Sequence, residues 1–209
     1  MSKHRLGLVI VAVLVALIVA VSAVAAPAPA APKAAAKPAA KTAAPAKASS
    51  AVERGRYLVT IGHCNDCHTP KKMGPQGPEP DPTRLLSGHP ASEKLPAAPA
   101  GLSPTGWIAA TSGGFTAWVG PWGVSYTANL TPDQDTGTGS WTEEIFIAAM
   151  RSGKHLGAGR DLLPPMPWQE VGQMTDADLK AVWAYLRSIP PIHNAVPEPL
   201  PPAAPAGGH

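Results

Sequence analysis

Residues 6–26 form an apolar run without a charged side chain, preceded by Lys3 and Arg5. A run of about 20 such residues can cross a bilayer as a helix. It also has the layout of a secretory signal, with a basic start, an apolar middle and small residues at Ala23-Val24-Ala25. Retained anchor or cleaved signal, both readings put the rest of the chain outside the cytoplasm, with the basic end inside. Residues 27–49 are Ala, Pro and Lys with nothing large to bury, and read as a semi-extended linker. From residue 50 the pattern becomes helical in three places. Ser50-Ala51-Val52-Glu53 has capping-box spacing and predicts a helix through Arg54, Gly55, Tyr57, Leu58 and Ile61. Gly55 inside it costs about 1 kcal/mol relative to Ala, which a close helix crossing would explain. Residues 142–151 place Ile145, Phe146, Ala149 and Met150 on one face, with Gly153 after the end. Thr175 caps a last helix with Met174 and Leu179 set for a hydrophobic staple. Its stripe is Leu179, Val182, Trp183, Leu186 and Ile189, and Pro190-Pro191 stops it.

Between these helices the periodicity fails. Residues 70–106 are rich in Pro and Gly and read as a long loop, and Tyr126-Thr127-Ala128-Asn129-Leu130 as a short extended piece. Residues 196–209 are again Pro/Ala-rich and predict a disordered tail. One domain, residues 50–195, is left for a single core.

Charge sharpens this division. The formal net charge of +3 hides six basic and no acidic side chains in residues 1–50, against eleven basic and fourteen acidic in the remainder. A basic linker suits an anionic membrane surface, while the net-negative domain has no electrostatic footprint for nucleic acid.

The chemistry lies in Cys64-Asn65-Asp66-Cys67-His68, which holds both cysteines of the chain. Two thiols two residues apart, followed at once by an imidazole, suit covalent capture of haem: the thiols add to the two porphyrin vinyl groups, and His68 is the proximal iron ligand. A disulfide across so short a loop would stabilise little. A zinc site lacks a fourth ligand and the right His offset, and a thioredoxin-type pair lacks a βαβ setting. Three helices are a poor core for this length, and a buried porphyrin would give the irregular segments an apolar body to pack on.

The motif with a capped helix before it and a Pro-flanked Met after it resembles class I, mono-haem cytochromes c. Tyr126-Thr127-Ala128-Asn129-Leu130-Thr131-Pro132-Asp133, then Thr136-Gly137-Thr138-Gly139-Ser140-Trp141-Thr142, Ala149-Met150-Arg151-Ser152-Gly153, Pro165-Met166-Pro167-Trp168 and residues 179–191 extend the likeness to the cytochrome subunits of periplasmic membrane-bound dehydrogenases. Those subunits typically carry three haem motifs and this chain one. The resemblance implies a mainly α domain, cytochrome c-like helices around one covalent haem c, with long Pro/Gly-rich loops and an N-terminal membrane helix or signal.

The sixth iron ligand needs a soft or imidazole donor. Met150 and Met174 fall on core positions, and Met73 follows His68 closely. Met166 sits in a proline-stiffened loop between two helices, and the resemblance implies the same residue; the other reading is that Met166 is ordinary packing and that His89, His155 or an open site faces the iron. His/Met ligation raises the potential and fills both faces. The function implied is a one-electron carrier, not an enzyme, on the periplasmic side of a bacterial inner membrane, anchored or soluble after cleavage. Redox protein partners are implied as donor and acceptor: a dehydrogenase, and a terminal oxidase or another cytochrome. A dehydrogenase subunit and a haem sensor are the alternatives. A carbonyl from residues 75–78 is the expected acceptor for the His68 ring N–H, and Trp107, Tyr126, Asn129 and Trp141 are candidate donors to the propionates.

Overall fold

The computed structural model describes residues 46–97, 99, 102 and 106–202. The apolar run 6–26 and nearly all of the linker lie outside the described residues. Among the described residues no helix is long and apolar enough to cross a membrane.

Helix α1 (Ala46–Ile61) begins before the expected cap. Ser50 lies inside it, because Ala46, Lys47 and Ala48 are good helix formers and the last linker proline is Pro45. The linker therefore ends sooner than residue 49. Helix α3 (Glu143–Ser152) starts as expected, with Thr142 Oγ1 accepting from the Ile145 amide at 3.3 Å, and ends on the left-handed Gly153. Helix α5 (Asp176–Ser188) is capped by Thr175, whose Oγ1 accepts from the Asp178 amide at 3.1 Å. Between them lie the short helices α2 (Cys64–His68) and α4 (Trp168–Val171).

Helices α1 and α5 cross at Gly55, where a Cβ would run into the Ala181 carbonyl and lie 2.8 Å from Tyr185 Cβ. Arg54 Nε joins Asp178 Oδ1 at 3.0 Å across the crossing. Tyr185 is buried there, and Tyr57 is 55% exposed beneath the Arg54 guanidinium. Leu58, Val59, Phe146, Ala149, Met150, Leu179, Val182, Trp183 and Leu186 form one core, with Phe146 stacked on Trp183 at 5.5 Å.

The helical core agrees with a mainly α domain, but the segments expected as loop carry two sheets. Strands β1 (Lys71–Gly74) and β2 (Gly77–Pro80) form an antiparallel hairpin within 70–106. Strands β3 (Ala110–Thr111), β4 (Ala117–Gly120) and β5 (Gly123–Tyr126) form an antiparallel sheet in the order β3-β4-β5, so the strand ends at Tyr126, where the expected extended piece begins. Residues 196–202 of the tail depart from the expected disorder, and residues 203–209 lie outside the described residues. Leu200 pairs with Val124 through two backbone hydrogen bonds of 2.9 Å, because β5 offers an otherwise open edge.

Candidate functional site

Helix α1 ends in a turn that sets up the short cysteine helix. The Gly62 amide donates to the Leu58 carbonyl at 2.8 Å, and His63 adopts a left-handed conformation (φ 58°) that directs the chain into α2. Cys64 and Cys67 lie in the one turn of α2, both thiols free, and His68 closes it. Burial pushes the Cys64 thiol up to about 11, and burial with the nearby Asp66 charge raises Cys67, so both are protonated thiols at neutral pH.

His68 is 9% exposed, and burial lowers its pKa. Its Nδ1 lies 2.8 Å from the Ala128 carbonyl oxygen. A carbonyl can only accept, so Nδ1 carries the proton and the Nε2 lone pair is left free. The acceptor is therefore Ala128 and not a carbonyl of residues 75–78, which belong to the β1–β2 hairpin.

Two chain segments make the bed for His68. The Gly88 amide donates to the His68 carbonyl at 2.8 Å, the His89 amide to Thr127 O at 2.9 Å, and the Leu130 amide to Leu86 O at 2.9 Å. Gly88 has φ 75°, and a Cβ there would strike Thr127 O and the Ala128 carbonyl carbon. Only glycine allows residues 86–89 to lie this close under residues 127–128. Thr69, fully buried, accepts from the Leu86 amide at 2.9 Å and ties α2 to this bed. Sequence reasoning missed Thr69, Gly88 and Ala128 in these roles; Gly88 is one glycine among several in a stretch rich in Pro and Gly and does not stand out.

Met166 is half-buried and packs against the helical core. Its loop is tied to β5, where Ser125 Oγ donates to the Pro164 carbonyl at 2.6 Å. Three residues beyond Ser125 comes Ala128, the acceptor for His68. One stretch of chain thus contacts both the Met166 loop and the His68 ring. His89 is buried with Nδ1 2.9 Å from Thr116 Oγ1 and its ring 4.9 Å from Tyr126. His155 packs edge-on to Trp141 at 5.2 Å. Met150 lies in the core and Met73 is 80% exposed. Asn129, a candidate propionate donor, spends its amide on Ile192 O at 2.8 Å and Thr136 Oγ1 at 3.3 Å. Trp107 is 72% exposed.

These residues fit a covalently held haem by the chemistry of their donors: two neutral thiols on one turn and a neutral imidazole whose tautomer leaves one nitrogen free. Among the described residues no group of three or more His, Cys, Asp or Glu side chains gathers as a metal site of another kind.

The profile of the family described as Cytochrome c matches residues 52–190. One of the subunits of the nicotinate dehydrogenase of Pseudomonas putida is 31% identical over 150 residues, 72% of this chain and 10% of that protein. The gluconate 2-dehydrogenase cytochrome c subunit of Pantoea cypripedii is 29% identical over 155 residues, 71% of this chain and 27% of that protein. The fructose dehydrogenase cytochrome subunit of Gluconobacter japonicus is 27% identical over 156 residues, 74% of this chain and 25% of that protein. The chain thus spans between a tenth and about a quarter of the length of these relatives.

Proposed function

This chain belongs to the cytochrome c family, and from that premise we propose that it is a one-electron carrier holding a single haem c outside the cytoplasm. The observation that carries the reading is the His68 ring, buried and neutral, with Nδ1 given to Ala128 O at 2.8 Å and Nε2 left as a ligand nitrogen. Cys64 and Cys67 would hold the haem as thioethers, the sulfur of each thiol adding to a vinyl carbon and its hydrogen to the neighbouring carbon. His68 and Met166 would be the iron ligands. Bound there, the haem supplies reversible one-electron exchange at iron.

The chain's own residues do the rest. The bed formed by 86–89 and 127–130 fixes the imidazole plane through the Ala128 carbonyl, which also raises the basicity of the ligand nitrogen. A Met166 thioether held at the iron would favour its reduced state and would leave no position for a substrate. The single Cys pair of this chain supports a count of one haem.

The partners follow from the same premise. Three relatives are named as subunits of nicotinate, gluconate and fructose dehydrogenases, which supports a dehydrogenase as electron donor or as the complex this chain joins. The acceptor would be a terminal oxidase or another cytochrome. The apolar run 6–26 supports a place at the outer face of the inner membrane, held there or released after cleavage.

The test is the reduced protein, purified without denaturant and exposed to carbon monoxide during a reversible redox titration. A one-electron wave and no rapid carbon monoxide binding are expected. Rapid binding would show an open iron face and overturn the carrier reading in favour of a haem enzyme.

A further inference from the structure

Helix α2 is too short to satisfy its own C-terminal carbonyls. The His68 carbonyl is taken by the Gly88 amide, and Asn65 O receives the Thr69 amide at 3.2 Å. A side chain from the following hairpin adds to these bonds. Lys71 Nζ donates to the carbonyls of Asn65 at 3.1 Å, Asp66 at 2.8 Å and Thr69 at 2.9 Å. An ammonium has three N–H donors, and here each has an acceptor. A cation at a helix C-terminus is also on the favourable side of the peptide dipoles.

The hairpin sets this geometry. Lys71 opposes Pro80 and Lys72 opposes Glu79 on the partner strand, and the Asp81 amide closes the base on Pro70 O at 2.8 Å. Strand alternation puts successive side chains on opposite faces. Lys71 is half-buried against α2, while Lys72 is exposed, with Glu79 3.7 Å away and Asp81 also nearby. Two adjacent lysines of equal charge thus have different surroundings.

We propose that Lys71 is a positioning residue for the Cys64-Cys67-His68 turn. Its ammonium holds the turn closed, so that both thiols and the imidazole are presented together, and its fixed charge beside that turn favours reduced over oxidised iron. The inference rests on the carrier reading above and deepens it.

The test compares the full chain with Lys71→Met, Lys71→Arg and Lys72→Met, each produced with haem-attachment machinery. Intact mass reads the fraction carrying covalent haem, and a spectroscopic redox titration reads the midpoint potential. Lys71→Met lowers both. Lys71→Arg restores both, since a guanidinium also donates to several carbonyls. Lys72→Met, with the same change in net charge, stays with the unaltered chain. Equality of Lys71→Met with the unaltered chain in yield and potential overturns the inference alone, as does an equal fall in Lys72→Met. If Lys71→Met does not accumulate, Lys71→Gln takes its place: a potential below that of Lys71→Arg supports the inference and an equal one overturns it. An unaltered chain that takes up no haem overturns the carrier reading and this inference with it.

Discussion

Thr69 is the residue that fastens the cysteine turn to the chain beneath it. Its hydroxyl accepts from the buried Leu86 amide at 2.9 Å and lies 3.3 Å from Asn65 Oδ1. Thr69→Val keeps the shape and leaves the Leu86 N–H without a partner, so unfolding in urea should show a loss of about 1–3 kcal/mol, with Thr69→Ser close to the unaltered protein. Met166 makes a spectroscopic prediction instead. Met166→Ala should lower the midpoint potential and abolish the far-red band of sulfur–iron ligation in the oxidised protein; a variant that keeps the band has another sulfur at the iron. Cys64, Cys67 and His68 stand out as candidates in the sequence because five consecutive residues carry their chemistry. Ala128 could not, because it contributes a backbone carbonyl from 60 residues away, and no side-chain pattern marks a carbonyl.

At the scale of elements, Gly55 separates two opposed effects. In an isolated helix Gly55→Ala would gain about 1 kcal/mol. At the α1–α5 crossing the added methyl meets the Ala181 carbonyl, and overpacking of that kind costs about 1–3 kcal/mol. A lower urea midpoint is therefore expected, and a higher one would mean that the helices do not cross there. The helices were legible because capping and a 3.6-residue stripe are local: Thr142, Thr175 and the Leu179–Leu186 face all lie where the pattern put them. The strands were not. Residues 77–80 read Gly-Pro-Glu-Pro, which looks like loop, yet proline is tolerated on an edge strand with its nitrogen turned away from the partner. Residues 117–126 are cut by Gly120-Pro121-Trp122-Gly123, and four-residue strands on either side are too short to show alternation. Leu200 escaped notice because its pairing with Val124 is decided by an open sheet edge far away in sequence.

The molecule as a whole should be sensitive to acid in two stages. Burial, helped by the Arg84 charge and opposed by Glu93, lowers the pKa of His89 below its ordinary 6.5. The unfolded chain therefore takes up that proton first, and stability complete above 6.5 is lost as the pH falls towards the folded value. Asp133 is held below its ordinary 3.8 by hydrogen bonds from Thr136, and Asp178 by its hydrogen bond with Arg54. Their contribution is intact above 3.8 and disappears as the pH falls through the folded values. Urea midpoints measured against pH should fall in both ranges, and His89→Gln should lessen the fall in the upper one, to which His155 also contributes. Covalent haem at Cys64 and Cys67 is the claim on which the functional reading rests. The intact mass of the chain, produced with haem-attachment machinery and measured under denaturing conditions, tests it most directly. The expected value is the polypeptide mass plus one haem; a mass of amino acids alone, with two titratable thiols, would contradict it.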